Sequence, residues 1–526
     1  MNAGGSFKRS FYQFLFNPGI KQLYVVLFLF VLSFLLTKIT FFFYYPLWCT
    51  TIDIYSYTDP LISITQHHLP VFDLRTPVYP LFLAFTYFTG FNLNAVLLFQ
   101  MVITLLSCIA GVYLIFKYKK WFFLPFSVVL LLFYSSGDVT AMDTNLSPTV
   151  LFADLILVFA VCLVAAVESQ KRKYFILSSL AFAAIILLRP QGLFLVGMMF
   201  AASVIYYVNH RSFKFLMPLI LPAAIVYGLL LSYNFFTFGQ FKYSKFGTLT
   251  KLGYVINILQ ESPDYPEALN EKIRAVNQSF GDQSKKSISA NGLSLATLDT
   301  VYTNPHYDFC WSFLPIVKSN PELIEKLIAT SNKSFPQNTW KEFVVGFLKY
   351  YKLDSKTTYF YFTELTNRRH YIEGDENFFD VKERRDVYGI VWRDWAKMVV
   401  DHKAGNYPIL NPGTNYTAIL HQQPILLRLI NYYEVVYNML FANKAWSLIY
   451  FASAFVALVF ISLNLFRFNK IEPLLLLSFI PFLNSILVSM IIPPQYYYVF
   501  PTRFFFMLAP IIVLFYLFRN YGKHSD

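Results

Sequence analysis

Residues 53–80 read DIYSYTDPLISITQHHLPVFDLRTPVYP and lie between two long apolar runs. The stretch holds three aspartates (Asp53, Asp59, Asp73), the adjacent pair His67 and His68, Arg75 and several tyrosines. A loop that only joins two membrane helices needs none of these. The runs on either side, about Leu23 to Tyr45 and Ala95 to Phe116, each reach the roughly 20 apolar residues that cross a bilayer. A polar, chemically equipped loop between two spans makes this a polytopic membrane chain with a candidate site at one membrane face.

Composition agrees. Of 526 residues, 56% are hydrophobic, 20% aromatic and only 14% charged, and the mean hydropathy is +0.47. A soluble protein would carry about a quarter charged residues. The net charge of +13 comes from short Lys/Arg groups at the ends of apolar runs, where they hold loops in the cytoplasm. These groups are too short and too far apart to suggest nucleic acid as a partner. The first apolar run is too long for a cleaved signal peptide and lacks a small-residue cleavage site, so it reads as a retained anchor.

Working outward from the stretch, the basic groups set the topology. Lys8, Arg9 and Lys21 place the N-terminus inside, and Lys38 near the outer end of the first span is expected to snorkel to the interface. Leu61 to Leu69 and Pro80 to Thr89 suit short interfacial helices. Further spans are expected over about Ala95–Phe116, Trp121–Tyr134, Thr149–Val167, Tyr174–Leu188, Gly192–Val208 and Phe215–Phe235. Three more close the chain: Trp446–Phe466, Pro473–Ile492 and Phe504–Phe518. A short polar outer loop carrying Asp138 and Asp143 separates the third and fourth. The fold class is thus mainly α, with about 10 transmembrane helices and both termini cytoplasmic.

Three units follow: a membrane module over residues 1–238 with its first outer loop at 46–92, an extracytoplasmic domain over 239–443, and membrane helices over 444–526. In the middle unit charges, Asn, Ser and Pro become frequent and no run reaches spanning length. Its clearest helical patterns are Pro321–Ser331 and Trp340–Lys352. Leu426–Leu440 is amphipathic, and Glu373–Arg385 reads as a solvated face. Cys108 and Cys162 fall in apolar runs as packing residues. Cys49 and Cys310 both fall outside the cytoplasm, where a disulfide is open to them.

The chemistry-bearing residues share the outer side. Asp53, Asp59, His67, His68, Arg75, Asp143, Arg189 and Arg503 all lie at outer ends of spans or in outer loops, whereas mid-span positions are almost all apolar, with Asp154 and Asn484 the chief exceptions. A transporter more often keeps ionisable groups near the midplane. An interfacial site suits a substrate with a lipid tail and a polar head. Asp53 is the expected catalytic base, taking a proton from an acceptor hydroxyl as a sugar carbon is attacked opposite a phosphate. The competing reading is a helix cap, which fits Asp59 before Pro60 better still. Arg189 and Arg503 are expected phosphate ligands, their planar forks neutralising a phosphate leaving group; the competing reading is a snorkelling cation. Tyr57, Asp59, His67, His68, Tyr79 and Asp143 are candidate substrate contacts. No residue is assigned to a metal, since an adjacent His pair is a poor ligand signature.

Four segments together resemble the GT-C glycosyltransferases that use polyprenyl-phosphate sugars, the broad group of protein O-mannosyltransferases and aminoarabinose transferases (family 39-like). They are Asp53–Tyr57 with the Arg75-Thr-Pro-Val-Tyr-Pro run, Leu187–Gly192, Tyr233–Gly239, and Arg503–Pro510. The likeness covers the first 240 residues and about the last 25. It implies an inverting transfer at the extracytoplasmic face, with Asp53 catalytic and Arg75, Arg189 and Arg503 facing the donor phosphate. The abundance of Phe, Tyr, Lys and Asn suggests an AT-rich genome and hence a bacterial inner membrane, although an endoplasmic reticulum membrane would have the same topology. The donor would be a polyprenyl-phosphate sugar and the acceptor a lipid, glycan or protein. Relatives carry a Glu before the fourth span where this chain reads Asp143-Thr-Asn-Leu-Ser-Pro148, so a divalent metal has no clear motif here. The alternatives are a lipid or glycan flippase and an O-antigen ligase or polymerase using a diphosphate-linked donor.

Overall fold

In the computed structural model the described residues are 14–39, 57, 60, 63–64, 68–70, 72, 75–88, 93–143, 147–239, 241, 248, 252, 259–279, 313, 316, 319–334, 440–441, 444–491 and 500–522. Among them the chain is mainly helical, with no strand. Helix α1 is Ile20–Ser33, continued by a π-helical turn over Phe34–Ile39; α2 is Val78–Phe88, α3 Leu93–Tyr118, α4 Phe123–Tyr134 and α5 Gly137–Asp143. Then come α6 Thr149–Ser169, α7 Arg172–Leu188, α8 Leu195–His210 and α9 Leu216–Phe238. Two amphipathic helices follow, α10 Glu267–Ser279 and α11 Pro321–Ser334, and the chain closes with α12 Lys444–Phe466, α13 Ile480–Ile491 and α14 Arg503–Gly522.

Seven of the described helical stretches are long and apolar enough to cross a membrane, and Lys120–Tyr134 and Pro473–Leu487 are shorter apolar helices. With α7, they occupy the ten stretches where spans are expected. The polytopic α-helical class therefore holds. Two expectations change. Residues 137–143 form the short helix α5 rather than a polar loop. Lys38 does not snorkel: it is fully buried.

Helix α6 is the hub. It carries no Lys or Arg, most of its length is buried, and it packs on both α3 and α7. Ala160, Ala165 and Ala166 are fully enclosed, and such small residues let helix backbones approach where lipid supplies no hydrophobic drive. The helix stops at Gln170, whose backbone is left-handed (φ 57°) and whose N–H caps Ala166 O. By contrast α1, α9 and α12 are the least enclosed long helices. Phe28, Leu229, Phe236 and Phe455 stand exposed on them, as lipid-facing side chains should. Pro222 interrupts the α9 ladder, and there Ser179 Oγ of α7 accepts the Ala223 N–H at 3.1 Å. A neighbouring helix thus meets a backbone group where the proline disturbs its own helix.

The middle unit is described in part. Leu269, Ile273 and Val276 on α10 recur at helical spacing and pack with Ile324, Leu327 and Ile328 of α11. The pattern at Pro321–Ser331 is therefore a helix, as expected. The patterns at Trp340–Lys352 and Glu373–Arg385, all of Leu426–Leu440 but Leu440 itself, and Cys49 and Cys310 lie outside the described residues. Cys108 and Cys162 are buried free thiols.

Candidate functional site

The ends of the bundle differ in chemistry. At one end, where α6 finishes and α7 begins, Lys119 Nζ lies 2.8 Å from Glu168 and 2.6 Å from Glu472. Arg519 and Lys470 flank the same two carboxylates, and Arg519 also sits 4.9 Å over the Trp121 ring. Asn209 adds a two-way link to the backbone of Ile471 at 2.9 and 2.8 Å. This lysine end ties α3, α6 and α8 to the C-terminal helices.

The opposite end gathers the three expected arginines. Thr76, next to Arg75, donates to Leu188 O at 2.9 Å, and Arg189 follows Leu188. Two residues on, Gln191 donates to Asn484 Oδ1 at 2.6 Å. Asn484 in turn donates to Thr502 Oγ1 at 3.3 Å, beside Arg503. The first outer stretch is also tied to the end of α9: Tyr233 Oη donates to Pro70 O at 2.7 Å, and the Phe72 and Tyr233 rings are 5.8 Å apart. The described part of the first outer stretch, the Leu188–Gln191 turn, the end of α9 and the start of α14 are therefore tied together at this end.

The arginines are held differently. Arg75 stacks 4.6 Å over the Tyr57 ring, which meets Tyr79 edge-on at 5.2 Å. Arg503 is 1% exposed, which rules out snorkelling for it. Arg189 donates from Nη2 to Thr149 Oγ1 at 2.8 Å, a hydroxyl rather than a carboxylate. Its Nη1 is buried without a hydrogen-bond partner among the described residues. A guanidinium with one arm anchored and one arm unused suits an anion with several acceptor oxygens. Pro190 starts a tight turn after Arg189, and Gly192 is required there. A Cβ at Gly192 would overlap the Ile185 side chain and reach its carbonyl carbon at 3.3 Å.

Below the arginines, inside the bundle, lies a polar network that apolar spans do not advertise. Tyr79 Oη donates to Gln100 Oε1 at 3.0 Å, and Gln100 Nε2 donates to Asp143 O at 3.1 Å. Thr104, one turn further along α3, reaches Asp143 Oδ1 at 3.1 Å and Asp154 Oδ2 at 2.8 Å. Lys38 Nζ lies 2.7 Å from Asp143 Oδ2 with both side chains fully buried. That contact is an ion pair by distance rather than an aligned hydrogen bond. Burial pushes the Asp143 carboxyl above its usual range, and Lys38 pulls it back. Burial likewise raises the Tyr79 phenol well above its usual range, helped by Tyr57 and opposed by Arg189.

Of the expected site residues, the structure brings together Arg75, Arg189, Arg503, Tyr57 and Tyr79. Among the described residues Asp143 is joined to them through Gln100. His68 is exposed, and its backbone N–H donates to Ser63 O at 2.8 Å. Asp53, Asp59 and His67 lie outside the described residues. Among the described residues no cluster of His, Cys, Asp and Glu could hold a metal. Sequence reasoning missed Lys38, Gln100, Thr104, Gln191 and Thr502. A usable signal existed: Gln100 and Thr104 stand at i and i+4 on one face of an otherwise apolar helix.

No family model, curated protein or solved structure matches this chain.

Proposed function

We propose that the protein is an inverting membrane glycosyltransferase that moves a sugar from a polyprenyl-phosphate donor to a lipid, glycan or protein acceptor. The observation that carries this reading is the set of hydrogen bonds made by the neighbours of the three arginines, Thr76 to Leu188 O, Gln191 to Asn484 and Asn484 to Thr502, which hold the segments bearing Arg75, Arg189 and Arg503 at one end. Three guanidiniums at one end of an apolar bundle can neutralise a phosphate leaving group while its prenyl tail stays among exposed apolar side chains. Asp53 is the proposed base and belongs to the same loop as Arg75. The parity of the spans and the basic groups at the lysine end support an extracytoplasmic site with both termini cytoplasmic, and the membrane proposed is a bacterial inner membrane.

The test is transfer from labelled polyprenyl-phosphate sugars by purified protein. Labelled product is expected with the native chain, and Asp53→Asn should abolish it. Retained transfer in that variant removes Asp53 as base. Product only from diphosphate-linked donors points to the ligase or polymerase class.

One observation favours the flippase alternative. Lys38, Asp143 and Asp154 are ionisable groups buried inside the bundle, and such residues mark transport pathways in many membrane proteins. Lipid translocation in liposomes without any covalent product would establish that reading instead.

A further inference from the structure

Two carboxylates face one ammonium in a buried site. Lys38 comes from the π-helical end of α1, Asp143 from α5 and Asp154 from α6. Among the described residues the other titratable groups facing Asp154 are Cys108 of α3 and Tyr134 of α4. A cavity of about 20 Å³ opens beside Asp154, Thr104, Cys108 and Tyr134, closed by Phe500 and Phe504. No lysine or arginine lines it among the described residues. With both aspartates ionised the cluster would carry a net negative charge out of water, which costs several kcal/mol per uncompensated ion.

Hydrogen-bond geometry adds an independent constraint. Thr104 Oγ1 has one proton to give, yet it lies 3.1 Å from Gln100 O, 3.1 Å from Asp143 Oδ1 and 2.8 Å from Asp154 Oδ2. All three partners are acceptors when both aspartates are ionised. The shortest of these contacts makes sense if the proton lies on Asp154 and is donated to Thr104, leaving the Thr104 proton for Asp143. Tyr134 Oη, buried and without a hydrogen-bond partner among the described residues, belongs to the same cavity wall. The volume accommodates one water, which needs two or more polar partners; Tyr134, Thr104 and Asp154 supply them.

We propose that Asp143 and Asp154 share one exchangeable proton through Thr104, forming with Lys38 a neutral proton-holding site that binds a single water. The site is coupled to the arginine end because the Asp143 carbonyl orients Gln100, and Gln100 receives the Tyr79 hydroxyl. This inference does not rest on the transferase reading and survives if that reading fails.

Infrared difference spectroscopy on the purified protein at neutral pH, with hydrogen–deuterium exchange, tests it. The native protein is expected to show the carbonyl stretch of a protonated carboxylic acid. Asp154→Asn should remove the band, because Asp143 stays ionised beside Lys38. Asp143→Asn should also remove it, because Asp154 then ionises to replace the lost counter-charge. In thermal unfolding the double variant should lose far more than the sum of the single losses, since Lys38 is left with no anion. Absence of the band in the native protein overturns the proposal, and that measurement needs no variant to fold. So does a stabilisation by sodium over potassium that disappears in Asp154→Asn, which would put a metal cation where the proton is assigned.

Discussion

At the lysine end, Lys119 is shared between Glu168 and Glu472, with Arg519 and Lys470 close to the same carboxylates. At the arginine end, Arg189 is anchored on a threonine hydroxyl and keeps Nη1 without a hydrogen bond among the described residues. Both ends carry cations and both join the N-terminal helices to the C-terminal ones. The lysine end does so with opposite charges facing each other, a closed arrangement that leaves little for a ligand. Among the described residues the arginine end is cross-linked by neutral groups (Thr76, Gln191, Asn484, Thr502), and the Arg189 Nη1 left without a hydrogen bond there is what the proposed phosphate would use. A cation answered by carboxylates thus reads as structural, and one answered by a hydroxyl is the better candidate for the proposed phosphate site.

The comparison breaks first at Lys119. Lys119→Ala leaves Glu168 and Glu472 with much of their counter-charge gone in a mostly buried setting, and removing one partner of a buried pair costs about 3–5 kcal/mol. We predict a large drop in detergent thermal stability but unchanged ligand binding at temperatures where the variant is folded. An unchanged melting point would mean that the lysine end is not a clamp.

Gly192→Ala comes next. Its Cβ must displace the Ile185 side chain and crowd the α7 backbone, and overpacking of this kind costs about 1–3 kcal/mol. Because the turn positions Arg189, transfer should fall with stability. Gln191→Leu and Asn484→Leu test the neutral cross-link. Each strands a buried partner at about 1–3 kcal/mol, while the double variant should lose less than the sum in a thermal double-mutant cycle. Strict additivity would show that the 2.6 Å contact carries no coupling.

The smallest effect is expected at Arg274. It pairs with Glu261 at 2.9 Å and Glu267 at 3.3 Å, with every partner well exposed. Exposed ion pairs contribute little, so Arg274→Ala should leave the melting point where it is.

The helices were readable from the sequence because bilayer thickness imposes a minimum apolar length that few other folds imitate. The grouping of Arg75, Arg189 and Arg503 was readable from parity alone, since alternating spans return these residues to one side. What parity does not reveal is which helices touch. The relay through Gln191, Asn484 and Thr502 joins segments far apart in the chain, and each residue alone looks like an ordinary polar position. Lys38 was misread for a related reason. A lysine near a helix end snorkels when water is within reach, but α4, α5 and α6 close over it and supply Asp143 instead. The helix over residues 137–143 was hidden by its mixed polarity, and α10 was overlooked in a stretch read only for composition.

The most direct test of the arginine end is binding of a polyprenyl phosphate without sugar to the purified native chain and to Arg75→Ala, Arg189→Ala and Arg503→Ala. Each variant is expected to weaken binding by about tenfold or more, as losing a charge-assisted hydrogen bond worth about 1.5–3 kcal/mol requires, with Arg189→Ala keeping its melting point. Equal affinity in all four proteins would contradict the phosphate site outright.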